Sequence, residues 1–160
     1  MKFWRILSLL ILAVSIIIGT ASPVFAAYTK YEYMETNGNA DSGQIYGGEY
    51  VAQIFVSNST LIHTVTQIAL NLKVVSTPGY VHAALREVSA GVPVGADLTS
   101  GVLNSNVMST SYKFQTFDVT PYTLTPNTSY AIVVYLDGGV AASSYVLWQN
   151  DSTGDGVAGT

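Results

Sequence analysis

Apolar residues recur at every second position over much of this chain, and this period constrains the fold more than any other feature. In the run from residue 62 to residue 75 the even positions from 68 onward are apolar, and several odd positions are polar. The apolar set is Ile68, Leu70, Leu72 and Val74, and the polar set is Gln67, Asn71 and Lys73. Because successive side chains of a strand point to opposite faces, this pattern predicts a β-strand with one buried face. From Tyr50 onward no segment has the period of an amphipathic helix.

The next run, from Tyr80 to Val88, continues the alternation. Its two sides are Val81, Ala83 and Leu85 on one face and His82, Ala84 and Arg86 on the other. The turn sequence Thr77-Pro78-Gly79 separates it from the preceding strand. We therefore expect these two neighbouring runs to pair as a hairpin.

Residues 89 to 111 are rich in Gly, Ser and Asn and contain Pro93. This composition predicts a long connection between two sheets, with Leu98, Val102 and Leu103 pointing inward.

Three strands are predicted after this connection. The first resumes at Lys113, and Phe117 and Val119 share one of its faces. The second, from Tyr130 to Leu136, is apolar on both faces, which is typical of a central strand. The third covers residues 145 to 149 and contains Trp148. Short strands with regular turns predict an all-β fold, an antiparallel Greek-key or jelly-roll β-sandwich of about seven or eight strands over residues 50–160.

The two ends of the chain lie outside this pattern. Residues 27–49 are polar and Gly/Asn-rich, so we interpret them as a leader whose possible edge strand lies near Tyr31 to Met34. Tyr31 and Tyr33 would share one face of that strand. The sequence ends at Gly159-Thr160 without a closing strand, which predicts a sandwich that is incomplete at its C-terminus.

The first 26 residues have the three parts of a secretory signal peptide. Lys2 and Arg5 form the positively charged n-region, and an apolar h-region runs from Ile6 to Ile18. Ala26 is a small residue suited to the position before the cleavage site. The alternative is an uncleaved membrane anchor, but the apolar segment is shorter than the roughly 20 residues that a spanning helix needs. We therefore expect a secreted or cell-surface protein, with a signal-peptide helix at its start and no membrane span after cleavage.

Charge and cysteine content exclude several classes of function. The formal net charge is −4 with the signal peptide, and its removal takes away two basic residues. The remaining four basic residues stand singly along the chain, at Lys30, Lys73, Arg86 and Lys113. A nucleic-acid surface needs clustered Lys or Arg, so no nucleic-acid partner is expected. The chain has no cysteine, so its stability depends on apolar burial and hydrogen bonds rather than on disulfides or a thiolate zinc site.

The stretch from Tyr50 to Trp148 resembles the extracellular modules called choice-of-anchor R domains, and more broadly the jelly-roll modules of secreted proteins. The similar pieces are residues 51–55, 68–72, 88–98, 114–117 and 124–130. This resemblance implies a surface-displayed β-sandwich. It says little about a ligand, because one sandwich fold carries many unrelated functions.

Nothing in the sequence predicts an enzyme, and we assign no catalytic residue and no cofactor. The carboxylates Glu87, Asp97, Asp118 and Asp137 fall mostly at strand ends or turns, where such side chains commonly cap backbone amides. There is no Gly-x-Ser-x-Gly motif. The two histidines, His63 and His82, would share an outer face if their strands paired, but two ligands are too few for a zinc or copper site.

A weak calcium-loop pattern follows the last predicted strand. Asp151, Thr153 and Asp155 place oxygen donors at alternating positions before Gly156, as in loops that wrap Ca²⁺. Thr153 stands where a carboxylate or amide is preferred. The alternative interpretation is a plain Asp/Gly turn.

An aromatic group near the C-terminus gives the sequence its candidate ligand site. Trp148 and Tyr145 stand next to Gln149 and Asn150, and such rings stack on sugars while amides bind the hydroxyl groups. The alternative places Trp148 in the core, as is usual for large aromatic side chains, and we favour it.

These patterns predict a non-catalytic secreted or cell-surface module for adhesion, envelope structure or carbohydrate recognition, with a glycan or envelope component as partner. The first alternative is a self-associating fibre subunit that uses residues 27–49 to pair with a neighbour's sheet edge. The second is a calcium-stabilised accessory domain of a larger secreted enzyme.

Overall fold

The computed structural model describes residues 40–41 and 43–150, which form two antiparallel sheets of four strands each. The strands are β1 (Ala40–Asp41), β2 (Tyr50–Val56), β3 (Thr64–Val75), β4 (Tyr80–Ser89), β5 (Val92–Asn104), β6 (Lys113–Thr123), β7 (Ser129–Leu136) and β8 (Tyr145–Asn150). A single-turn 3-10 helix, Ser105–Val107, follows β5. The described residues form no α-helix, and none of them builds a helix suited to crossing a bilayer. The predicted signal peptide and the possible strand at Tyr31 to Met34 lie outside the described residues.

The strands pair in a nested order. The first sheet runs β1-β8-β3-β6 and the second runs β2-β7-β4-β5. Strand β4 pairs with β5, β3 with β6, β2 with β7, and β1 with β8, so each successive pair encloses the previous one along the sequence. The prediction of an all-β, antiparallel fold is confirmed.

The hydrophobic core lies between the two sheets, as in a β-sandwich. Ile68, Leu70, Leu72 and Val74 of β3, which the alternation predicted to face inward, are all buried. They meet apolar side chains of the opposite sheet, among them Val81 and Val134, in one cluster. Phe117 of β6 is fully buried in the same cluster.

The sandwich begins before Tyr50. Ile45 is fully buried in the core, and its backbone exchanges two hydrogen bonds with Val146, at 2.9 and 3.0 Å. Part of the segment that the sequence indicated as a polar leader therefore belongs to the sandwich. The sequence pattern did not reveal this, because one apolar residue near glycines makes no alternation.

The predicted hairpin between the runs at residues 62–75 and 80–88 is wrong. These runs are β3 and β4, and they belong to different sheets. The turn at Pro78 and Gly79 carries the chain from one sheet to the other, and Ser105 stabilises it through a hydrogen bond from Gly79 N to the Ser105 hydroxyl (3.2 Å). The inward and outward faces predicted for the two strands are nevertheless correct, because facing depends on the alternation and not on the partner.

The predicted connection over residues 89–111 is also wrong in its main part. Most of it is β5, which forms a hairpin with β4. The two turn residues, Ala90 and Gly91, both have positive φ angles (51° and 79°), as tight hairpin turns require. Leu103 packs against the core, but Val102 is 52% exposed on the outer face.

Strand β7 is central, as its apolar faces predicted. It lies between β2 and β4 in the second sheet. Val134 faces the core, whereas Ala131 and Val133 belong to the outer face and are fully buried there. Arg86 of β4 lies directly opposite Ala131 on this outer face, and it belongs to the site described next.

Candidate ligand-binding face

One row of side chains crosses the outer face of the second sheet. In the register of the strands, Tyr50 of β2 lies opposite Tyr135 of β7, Tyr135 opposite His82 of β4, and His82 opposite Val102 of β5. Residues directly opposite in a sheet share a face, so these four form a line across all four strands. The rings of His82 and Tyr135 stack, with centroids 4.6 Å apart and planes 3° from parallel.

Asp97 reaches this row from an irregularity in β5. The pairing of β4 with β5 jumps from Leu85–Thr99 to Glu87–Val94, so β5 has extra residues here. Such a bulge bends a strand and redirects its side chains. The Asp97 carboxylate accepts a hydrogen bond from Arg86 Nε at 2.6 Å on one oxygen and from the Tyr135 hydroxyl at 2.8 Å on the other.

Asp137 completes the group at the end of β7. Its Oδ2 lies 2.9 Å from Nε2 of His82, although the two atoms do not have the geometry of a hydrogen bond. The Arg86 guanidinium carbon lies 5.8 Å from the Tyr135 ring centroid, within cation–π range. We call His82, Arg86, Asp97, Tyr135 and Asp137 the outer-face cluster.

The outer-face cluster keeps Tyr135 protonated. Burial raises the pKa of Tyr135 to about 12, with further upward contributions from the hydrogen bond to Asp97 and from the charge of that carboxylate. The nearby Arg86 opposes them, since a cation favours the phenolate. The phenol is therefore a fixed donor to Asp97 over the whole physiological range.

Several groups of this face remain accessible to a ligand. Asp137 has 59% of its side chain exposed, and Tyr80, which is next to it in the register extended from Val81 and Leu136, is 51% exposed. Tyr50 is exposed at the other end of the row. Arg86 uses only Nε for Asp97, so its two terminal nitrogens make no hydrogen bond to another described residue. The face thus offers two phenol rings, a guanidinium and a carboxylate.

The aromatic residues that the sequence offered as a ligand site lie on β8, in the other sheet from the outer-face cluster. Trp148 is 3% exposed and lies in the core between the sheets, in line with the interpretation that the sequence favoured. Tyr145 is partly buried, and the Gln149 side chain accepts a hydrogen bond from Asn71 at 2.6 Å. Asn150 is the last residue of β8. A ring buried to this degree cannot stack on a sugar without leaving the core.

The other predicted sites are separate from this face. Asp151, Thr153 and Asp155, the calcium-loop residues, lie outside the described residues. His63 is buried in the segment before β3, while His82 lies on the outer face of the opposite sheet. His63 precedes β3, which does not pair with the strand of His82, so the condition for a shared metal is not met.

The sequence indicated only part of the outer-face cluster. The alternation put His82 and Arg86 on one outward face, but it could not show that β7 would bring Tyr135 beside them. Asp97 was expected to cap a turn, whereas its hydrogen bonds go to the side chains of Arg86 and Tyr135. An outward His-x-Ala-x-Arg pattern, where small Ala84 leaves room for larger neighbours, was the available signal.

None of the family models scanned matches the chain, and no similar protein was found among the curated ones.

Proposed function

We propose that this chain is a non-catalytic, secreted or cell-surface jelly-roll module that binds carbohydrate through the outer face of its second sheet. The observation that carries this proposal is the combination of exposed rings and fixed polar groups on that face. Tyr50 and Tyr80 offer aromatic surface for the apolar side of a sugar, and Arg86 and Asp137 offer a donor and an acceptor for its hydroxyl groups.

A binding role suits the cluster better than catalysis. The Asp97 carboxylate is held by both Arg86 and Tyr135, and Asp137 is next to His82. A general acid or base must exchange its proton with a substrate, whereas both oxygens of Asp97 are engaged by neighbouring side chains. Pre-formed side chains lose little freedom when a ligand binds, which favours recognition.

The jelly-roll assignment is supported by the nested pairing of β1 with β8, β2 with β7, β3 with β6 and β4 with β5. Relationship to choice-of-anchor R domains is part of the same proposal and rests on the sequence motifs alone. Export rests on the signal-peptide pattern of residues 1–26.

A glycan array with the purified protein tests the proposal. We expect binding that weakens about tenfold or more in Tyr80→Ala and in Asp137→Ala. Phe114→Ala is the matched control, because Phe114 is equally exposed (54%) but lies in the other sheet. An array without signal, or binding that all three variants retain, would refute carbohydrate recognition by this face.

A further inference from the structure

The two sheets have four edges, and they are not protected equally. The edges are β1 and β6 in the first sheet and β2 and β5 in the second. An edge strand has backbone N–H and C=O groups that point away from its only neighbour, so proteins usually blunt edges with charges, proline, bulges or short strands.

Three of the edge strands have such protective features. Strand β1 has only two residues. Strand β5 contains Pro93 and the irregularity that holds Asp97. Strand β6 contains Lys113, Asp118 and Pro121. Each of these features hinders the addition of another strand.

Strand β2 has none of them. Its sequence, Tyr-Val-Ala-Gln-Ile-Phe-Val, has no charge, no proline and no glycine, and among the described residues it pairs only with β7. Three of its large side chains are exposed: Tyr50 (59%), Ile54 (42%) and Val56 (48%). In the register these three share the outer face of the sheet. Strand β2 is thus an apolar, pairing-competent edge.

We propose that β2 pairs with β2 of a second copy of this chain, antiparallel and around a two-fold axis at Gln53. This joins two second sheets into one continuous eight-stranded sheet. The inference does not depend on carbohydrate binding: the two surfaces share Tyr50, but Tyr80 and Asp137, which test the carbohydrate proposal, take no part in the pairing.

The sequence of β2 fits its own copy in this register. Tyr50 lies opposite Val56 of the other copy, Val51 opposite Phe55, and Ala52 opposite Ile54. Aromatic and β-branched residues directly opposite each other stabilise antiparallel strands, and the two-fold axis makes each such pair occur twice. Gln53 meets Gln53, where two side-chain amides can exchange a hydrogen bond.

Electrostatics also permits the pairing, although the chain as a whole is acidic. The charged residue next to β2 in the sequence is the exposed Glu49. In the proposed register Glu49 lies opposite Ser57 of the other copy. The two Glu49 carboxylates therefore lie at opposite ends of the β2–β2 interface, which we call the joint. At about 3.4 Å per residue the separation is about 27 Å, well beyond the screening length at physiological ionic strength.

The joint is small, so the dimer should be weak in dilute solution. Seven residues per copy bury less than the roughly 1,000 Å² of a stable interface. Copies displayed close together on one surface, or on two apposed surfaces, would pair more strongly through multivalency.

Sedimentation velocity over a concentration series tests the pairing. We expect the purified protein to move from monomer to dimer as its concentration rises towards about 1 mM. Ile54→Lys should weaken dimerisation about tenfold or more, because it brings two like charges to the joint. Val102→Lys is the matched control, because it also replaces an exposed β-branched residue with Lys on the same face, but at the opposite edge of the sheet. This variant should dimerise like the wild type. Far-UV circular dichroism verifies that both variants are folded.

Two further measurements test the register. A mixture of Ile54→Lys and Ile54→Glu should form heterodimers although each variant alone dimerises poorly. Because the chain has no cysteine, Gln53→Cys should give a disulfide-linked dimer under oxidation. Val51→Cys should not, since two residues at position 51 would be about 14 Å apart along the strands.

Three outcomes would overturn the proposal. The first is a protein that stays monomeric up to about 1 mM. The second is equal loss of dimer in Ile54→Lys and Val102→Lys. The third is growth beyond the dimer, because a two-fold joint uses β2 of both copies and cannot extend.

Discussion

Gly101 of β5 packs so closely against Asp118 of β6 that position 101 has no room for a side chain. A Cβ at Gly101 would lie 2.5 Å from the Asp118 carbonyl oxygen and 2.9 Å from Cβ of Phe117. Neither atom is the end of a flexible side chain, so relief would require backbone movement. This contact joins the β5 side of one sheet to the β6 side of the other, where Thr99 also donates a hydrogen bond to the Thr120 carbonyl at 2.7 Å.

Gly101→Ala should therefore destabilise the fold. We expect a loss of about 1–3 kcal/mol in the free energy of unfolding, as for other overpacked sites. Urea denaturation measures it. Gly48→Ala is the control, because a Cβ there has no atom within 4 Å. If both variants unfold at the wild-type midpoint, β5 and β6 do not approach each other as described.

Phe117 and Phe114 of the same strand should respond differently to truncation. Phe117 is fully buried in the core, whereas Phe114 is 54% exposed. Phe117→Ala leaves a large cavity and should cost about 3–5 kcal/mol of stability. Phe114→Ala should change it by less than about 0.5 kcal/mol. Thermal or chemical unfolding of the two variants compares them directly, and equal losses would contradict the assignment of faces in β6.

Ser57 connects the end of β2 to the turn before β7. Its hydroxyl donates to the Thr125 carbonyl at 2.6 Å and accepts from the Thr128 N–H at 3.0 Å, and the residue is only 4% exposed. Ser57→Ala leaves these backbone groups without that partner and should cost about 1–3 kcal/mol. Ser59→Ala, at an exposed position two residues away, is the control. Chemical denaturation that finds the same stability for both variants would show that water replaces the hydroxyl without cost.

The sequence predicted correctly which side chains of β3 and β4 face inward, but it did not predict which strands pair, and the difference has a physical reason. In β3 and β4 the inward residues follow from the two-residue alternation, which is a local property of each strand. Pairing depends on the whole chain, and the short turn at Pro78 and Gly79 could have closed a hairpin or, as it does, crossed between sheets. Strand β5 escaped detection because Pro93 and the irregularity near Asp97 interrupt its alternation.

The candidate face was predictable only in part for a related reason. Arg86, Asp97 and Tyr135 are distant in sequence and meet through three different strands. Their types and outward facing were visible, but the register that joins them was not. Trp148 drew attention as a large aromatic residue, yet its burial is what the apolar period of its own strand favours.

Alkaline pH should weaken the fold partly through Tyr135. Its pKa is about 12 in the folded chain against 10.0 for an ordinary tyrosine, with burial as the largest cause. Between these two values the unfolded chain gives up this proton before the folded chain does. The stabilisation is therefore complete below about pH 10 and is lost as the pH rises towards 12.

In Tyr135→Phe this part of the pH dependence should disappear. Urea denaturation at about pH 9 and about pH 11 should show a smaller fall in stability for the variant than for the wild type. The fall should not vanish, because burial also raises the pKa of Tyr122. The matched control is Tyr80→Phe, which removes a phenol hydroxyl from the same face without breaking the bond to Asp97. If Tyr135→Phe and the wild type lose equal stability over this range, the proton held between Tyr135 and Asp97 does not contribute, and the outer-face cluster is looser than the 2.8 Å hydrogen bond indicates.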